Sequence, residues 1–177
     1  YYGRLLQQML NVPVGLICSS WGGSCVEAWM DKEMLKGFPE IKIPKSPEDI
    51  VEKNRTPTTL YQGMIAPLVG YTIKGAIWYQ GESNSIRAEK YQQVFTNMIN
   101  SWRERWGQSD MPFYFMQIAP HYRQPAEIRE AQLKTWRESG LKNVGMAVVV
   151  DAADSTDIHP RNKRVAGERL AAWALAK

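Results

Sequence analysis

Four short apolar runs set the limits on what this chain can fold into: Val14 to Ser19, Ile73 to Tyr79, Phe113 to Ile118 and Val144 to Val150. Each is followed by a turn and then by residues at helical spacing. Runs apolar at successive positions, with no polar alternation, suit strands covered on both faces. Between them, Arg87 to Trp106 places Tyr91, Val94, Phe95, Met98, Ile99, Trp102 and Trp106 on one helical stripe, and Ala126 to Glu138 does so more weakly. A last helix is expected over about Arg161 to Ala176, with Pro160 where proline starts helices well. Tyr1 to Leu10 reads as an amphipathic helix. Strand alternating with helix predicts an α/β fold: a doubly wound, mostly parallel sheet with flanking helices.

The stretch Gly37 to Thr59 breaks the pattern with Pro39, Pro44, Pro47 and Pro57 and many charges, and reads as a surface excursion within one domain. At 177 residues and 44% hydrophobic, the chain is long enough for a single domain, residues 1–177, with a sizeable core. The 22 basic residues against 18 acidic ones leave a net charge of +4 with no basic block, which argues against nucleic acid or an anionic membrane as partner. No apolar run approaches the roughly 20 residues that cross a bilayer. The thiols are Cys18 and Cys25, with Cys18 expected as a buried free thiol and a pairing of the two open only if their Cα atoms approach within about 7 Å. His121 and His159 are too few and too isolated for a zinc site, so no metal and no cofactor are expected.

In open α/β sheets ligands bind at the carboxyl ends of the strands. After the first run comes Ser19-Ser20-Trp21-Gly22-Gly23-Ser24, a glycine turn whose N–H groups could donate to an oxyanion or simply close a tight turn. After the second comes Gln80-Gly81-Glu82-Ser83-Asn84. There Asn84 offers a side-chain donor and Glu82 an acid for orienting a base or binding a sugar hydroxyl, unless the segment is an Asx-type turn with Glu82 solvated. After the fourth comes Asp151-Ala152-Ala153-Asp154-Ser155-Thr156-Asp157-Ile158-His159-Pro160. A histidine two residues from an acid, before a helix, has what a general base needs, although a histidine at such a place is often structural.

These segments, with Leu60-Tyr61-Gln62-Gly63-Met64-Ile65-Ala66-Pro67-Leu68 and Ile77-Trp78-Tyr79-Gln80-Gly81-Glu82-Ser83-Asn84, resemble the sialate O-acetylesterase group of the SGNH hydrolases, carbohydrate esterases that remove acetyl groups from sugars. The resemblance implies an SGNH or flavodoxin-like sheet and an acetylated carbohydrate as partner, with a secreted or periplasmic location. By the same resemblance Gly22 supplies a backbone oxyanion donor, Asn84 a side-chain donor and His159 the general base. Asp157 is the chosen acid and Glu82 its competitor, while Gln80, Trp21 and His121 are candidates for substrate contact.

The family's serine lies in a Gly-Gln-Ser-Asn-Met-like turn, and no such turn occurs in this sequence. The nucleophile is therefore expected upstream of Tyr1, on a strand between the first and second runs, so that the sheet is incomplete at its N-terminal side and the chain inactive alone. Ser20, Ser24, Ser83 and Ser155 read better as turn or hydrogen-bonding residues. A second copy or a complementing N-terminal segment would then fill the gap. The competing reading is a catalytically inactive glycan-binding or scaffolding relic.

Overall fold

The structure, a computed structural model, describes residues 1–176. Its centre is a parallel sheet of β1 (Ala76–Trp78), β2 (Phe113–Met116) and β3 (Val144–Ala147), in that order. Ala76 sits opposite Phe113, and Phe113 opposite Val144. Each strand is followed in sequence by a helix: α2 (Ala88–Trp106), α3 (Ala126–Glu138) and α4 (Lys163–Leu175). A first helix, α1 (Tyr2–Leu10), precedes them.

All four residues of β2 are buried. Phe113 and Phe115 face a core built with α2, α3 and the segment Val26 to Leu35, while Tyr114 and Met116 face a smaller core built with α1 and α4. This alternation is the doubly wound arrangement, with helices on both faces. On the larger side Trp78 is the hub, its ring 5.8 Å from those of Trp29 and Phe95 and 6.0 Å from that of Trp102. The contacts with Trp29 and Trp102 are edge-to-face and that with Phe95 is stacked, and all bury large aromatic area. The sequence stripe of α2 is what reaches them, with Tyr91, Val94, Phe95, Met98, Ile99 and Trp102 all buried.

Helix ends follow their local chemistry. Gly107 closes α2 in the left-handed region at φ 64°, where glycine carries no Cβ penalty. The side chain of Asn162 accepts from Val165 N and caps α4. Near the end of α2, Arg103 is buried and donates to the carbonyls of Met111 and Lys142 at 3.0 and 2.6 Å. It thus ties the helix to the entrances of β2 and β3. Burial pulls its pKa below the usual arginine value, opposed by the charge of Asp110.

Three expectations need correction. Val14 to Ser19 forms no strand: its backbone pairs with none of the described residues, and Leu16 and Ile17 are 66% and 49% exposed. The physical reason is that no neighbouring strand stands beside it to complete a ladder. The edge of β1 away from β2 is likewise open, with Ile77 exposed. Secondly, because this run lies outside the core, it is Cys18 that is exposed and Cys25 that is buried, and both thiols are free. Thirdly, the strand expected over Val144 to Val150 stops at Ala147, where its partner β2 ends. The excursion from Gly37 onward carries only short 3-10 turns, yet packs Phe38, Ile41 and Ile43 against the larger core. Among the described residues no helix is long and apolar enough to cross a membrane.

Gly145 marks the closest approach between sheet and helix, since a Cβ built there would fall 2.4 Å from the Trp173 ring. Gly145→Ala should therefore displace α4 and cost about 1–3 kcal/mol, seen as a lowered urea midpoint and altered tryptophan emission.

Candidate functional site

Four loops meet at the carboxyl edge of the sheet, and hydrogen bonds join each to the next. The first, Ser19 to Ser24, turns through Gly23 at φ 68°. A residue with a side chain rarely adopts that conformation. The side chains of Asn54 and Arg55 donate to the carbonyls of Gly22 and Gly23 at 3.0 and 3.3 Å, so the excursion buckles this turn in place. Gly22 is exposed, and no atom lies within 4 Å of where its Cβ would be. The N–H of Gly22 donates to no group among the described residues. Trp21 stands beside it, 49% exposed.

The second loop, Tyr79 to Arg87, carries most of the buried polar chemistry. Gln80, Gly81 and Asn84 are all buried. Asn84 Oδ1 accepts from Val26 N at 2.9 Å and from Gln80 Nε2 at 2.7 Å, and Asn84 Nδ2 donates to Glu27 Oε2 at 2.9 Å. Gln80 Nε2 also donates to Ser24 O at 2.8 Å, and Gln80 Oε1 accepts from the Tyr91 hydroxyl at 3.1 Å. Both Nε2 protons and the side-chain oxygen of Gln80 are thereby engaged. The structure thus puts this residue in the frame behind the site, not at a surface where substrate would touch it. Gly81 lets the third loop approach, since a Cβ there would lie 2.7 Å from Ile118 Cγ2.

The third loop, Gln117 to Pro125, is held by Gln132, which accepts from Ile118 N at 2.9 Å and donates to Gln80 O at 3.0 Å. His121 is half-buried here, its ring 4.7 Å from that of Tyr122 and its Nδ1 accepting from Arg123 N. Ser85 bonds to Gln124, and Tyr122 N donates to Ser155 O at 3.0 Å, linking this loop to the second and fourth.

The fourth loop, Val148 to Asn162, contains the three clustered aspartates, and each has a local task. Asp151 makes a bidentate pair with Arg169, which holds its carboxyl down at about 2. Asp154 accepts from Thr156 N and Oγ1 at 2.8 and 2.7 Å. Asp157 Oδ1 accepts from the backbone N of His159 at 2.8 Å, and its other oxygen lies 4.0 Å from Arg161. The imidazole of His159 is exposed, and neither ring nitrogen is hydrogen-bonded among the described residues. Asp157 thus holds the backbone of His159, not its ring.

Glu82 is the other acid near the imidazole. Burial raises its pKa above the ordinary glutamate value, opposed by its own backbone N–H and by the positive charges of His159 and Lys163. Lys163 Nζ lies 5.3 Å from the centre of the Tyr79 ring, and burial, with the Glu82 charge adding, pushes the Tyr79 phenol up to about 12. Glu82, His159, Lys163 and Tyr79 therefore form one electrostatic group at the sheet edge. Two grooves of about 450 Å³ lie elsewhere, one lined by Ala147, Val148, Arg169 and Trp173, the other between the starts of α2 and α3. Among the described residues no three His, Cys, Asp or Glu side chains could share a metal ion.

Glu27 and Arg87 went unmarked in the sequence reading, although Glu27 is buried and paired with Arg87 at 3.1 Å. A glutamate in the apolar context Val26-Glu27-Ala28-Trp29-Met30 is a signal that could have found them.

Because the folded-state pKa of Glu82 is raised, its contribution to stability is fully present below about 4.5, its unfolded value, and is lost as pH rises through the folded value. Glu82→Gln lacks that loss. Its urea midpoint should gain on the wild type's as pH goes from about 4 to about 7, whereas a constant difference would exclude a buried, charge-disfavouring setting.

Comparison with known proteins agrees with this architecture. The family model described as carbohydrate esterase, sialic acid-specific acetylesterase matches residues 2–176. Human sialate O-acetylesterase is 33% identical over 196 residues, covering 99% of this chain and 38% of that protein. The mouse sialate O-acetylesterase is 30% identical over 223 residues, covering 99% of this chain and 41% of that protein. The crystal structure of a carbohydrate acetylesterase from Xanthomonas citri superposes with a TM-score of 0.85 at 39% identity, covering 98% of this chain and 38% of that one. A protein of Arabidopsis thaliana shares the fold at a TM-score of 0.56 and 22% identity, over 81% of this chain and 65% of that one. The chain spans about two fifths of the length of the sialate O-acetylesterases it matches. With four joined loops at the carboxyl edge of a parallel sheet and a family match along nearly its whole length, this chain belongs to the carbohydrate esterases of the sialic acid-specific acetylesterase family.

Proposed function

We propose that this chain forms the acid–base and oxyanion side of a carbohydrate O-acetylesterase, acting on acetyl esters of sugars outside the cytoplasm. The observation that carries the reading is the exposed imidazole of His159 beside the half-buried Glu82, at the loop-bearing edge of the sheet. A serine hydroxyl attacks the acetyl carbonyl, and His159 takes the hydroxyl proton and returns it to the departing sugar oxygen. Water then cleaves the acyl-enzyme, again with His159 as base, and releases acetate. The free N–H of Gly22 and the remaining Nδ2 proton of Asn84 hold the oxyanion, each such donor contributing roughly 3 kcal/mol when well placed.

Two acids divide the work around His159 in this reading. Asp157 fixes the backbone from which the ring projects, and Glu82 supplies the negative charge that steadies the imidazolium. Trp21 and His121 border the edge as sugar contacts.

None of the serines in the four loops is hydrogen-bonded to the His159 ring among the described residues, and Ser24 Oγ is buried, accepting from Trp29 Nε1 at 3.0 Å. In this reading none of these serines is the nucleophile. The test is acetate release from acetylated sugars by the protein as its gene encodes it, with His159→Ala alongside. Loss of the general base should cost about 10²- to 10⁴-fold in kcat. An unchanged rate removes His159 from the mechanism. Glycan binding without acetate release, and without labelling by a serine-directed phosphonate, would favour the inactive glycan-binding reading instead.

A further inference from the structure

We infer that Glu27, paired with Arg87, is a positioning residue that fixes the Asn84 amide as an oxyanion donor. The inference rests on the esterase reading above and extends it to a residue that does not touch substrate.

An asparagine amide has a carbonyl end and an NH₂ end, and a rotation of half a turn exchanges them at almost no steric cost. A side chain meant to donate must therefore be held against that flip. Asn84 meets one-way partners at both ends. Val26 N–H can only donate, so it requires the Asn84 oxygen at 2.9 Å. An ionised Glu27 can only accept, so it requires the Asn84 nitrogen at 2.9 Å. Gln80 Nε2 takes the second lone pair of Asn84 Oδ1, and the orientation of Gln80 is itself set by the carbonyl of Ser24 and the hydroxyl of Tyr91. Turning the amide over would set donor against donor at Val26 and oxygen against carboxylate at Glu27. The net result is a side chain with both acceptor sites filled and one Nδ2 proton left over.

Glu27 has a second partner, Arg87. Its carboxylate is almost wholly buried and forms an ion pair with Arg87 at 3.1 Å, the Arg87 side chain being nearly half exposed. Buried ion pairs are weak devices for stability, since apolar residues of similar volume often serve as well or better. What an ionised carboxylate supplies that an apolar side chain or a protonated acid does not is an obligatory acceptor. Arg87 also lies at the start of α2, so the pair joins the oxyanion loop to the helix that carries the aromatic core. Cys25, next to the same guanidinium, donates to Ser83 O and closes the frame on its other side.

The experiment uses the protein as its gene encodes it, in four forms: wild type, Glu27→Gln, Arg87→Gln and the double variant. Acetate release gives kcat and KM, thermal unfolding gives the folded fraction, and the side-chain NH₂ resonances of Asn84, identified by their loss in Asn84→Asp, report its hydrogen bonding. Glutamine at 27 can turn its own NH₂ toward Asn84, so Glu27→Gln should lower kcat at least tenfold with KM within twofold, and shift the Asn84 resonances. In the double variant the new Gln at 27 can donate to that at 87 while its oxygen accepts from Asn84, so kcat should recover to within about threefold of wild type. A purely structural role would instead lower kcat only in step with the folded fraction and would show no recovery in the double variant. The proposal is overturned by that pattern, by a Glu27→Gln kcat within twofold of wild type, or by unmoved Asn84 resonances. If the wild-type protein releases no acetate, the esterase reading fails on its own, and the resonances still decide whether Glu27 orients Asn84.

Discussion

Everything in this fold depends on covering both faces of one four-residue strand. Phe113 and Phe115 project to one side of β2, Tyr114 and Met116 to the other, and all four are buried. At roughly 25 cal/mol per Å² of apolar surface removed from water, leaving either face bare would forfeit several kcal/mol, a large share of a typical domain's total. α2 and α3 therefore must lie on one face and α1 and α4 on the other. Parallel pairing with β1 and β3 then sends the connecting loops to the same edge. The site is where it is because the sheet has only one carboxyl end.

That dependence explains what was legible in the sequence. The stripe of α2, the start and end of α3 and the runs that became β1, β2 and β3 are set by local apolar spacing, and the edge at which the loops following those strands lie follows from strand polarity. Val14 to Ser19 was not legible for a physical reason. Its composition is that of a buried strand, but a strand is a relation between two segments, and among the described residues it has no partner. Leu16 and Ile17 stay exposed, and the expected burial of Cys18 fails with them.

The polar frame behind the site was less legible still, because its members are scattered along the chain. Asn84 reaches Glu27 across 57 positions and Gln132 reaches Gln80 across 52. Periodicity cannot register such pairs. Gln80 shows the consequence: next to a glycine at the end of a strand it reads as a ligand contact, yet its amide is wholly engaged with Ser24, Asn84 and Tyr91. The three aspartates before His159 mislead in the same way. A cluster of acids beside a histidine suggests a shared task, whereas Asp151 serves Arg169, Asp154 serves its own turn and Asp157 serves a backbone N–H.

The division of burial across the site follows from what each group would have to do in ester hydrolysis. An oxyanion donor works best fixed in advance, because any reorientation during reaction costs what its hydrogen bond gains. Asn84, at 2% exposure with three of its four hydrogen-bonding positions occupied, meets that demand. A general base must instead take a proton from one partner and hand it to another, which requires a ring free to meet both. His159 is exposed and held through its backbone alone. Glu82 lies between these extremes, half-buried, with burial raising its pKa and the neighbouring positive charges opposing that rise. A fixed amide and a partly desolvated acid on the second loop, facing an exposed imidazole on the fourth, are thus what the proposed chemistry asks for, and the ion pair of Glu27 with Arg87 belongs with the fixed part.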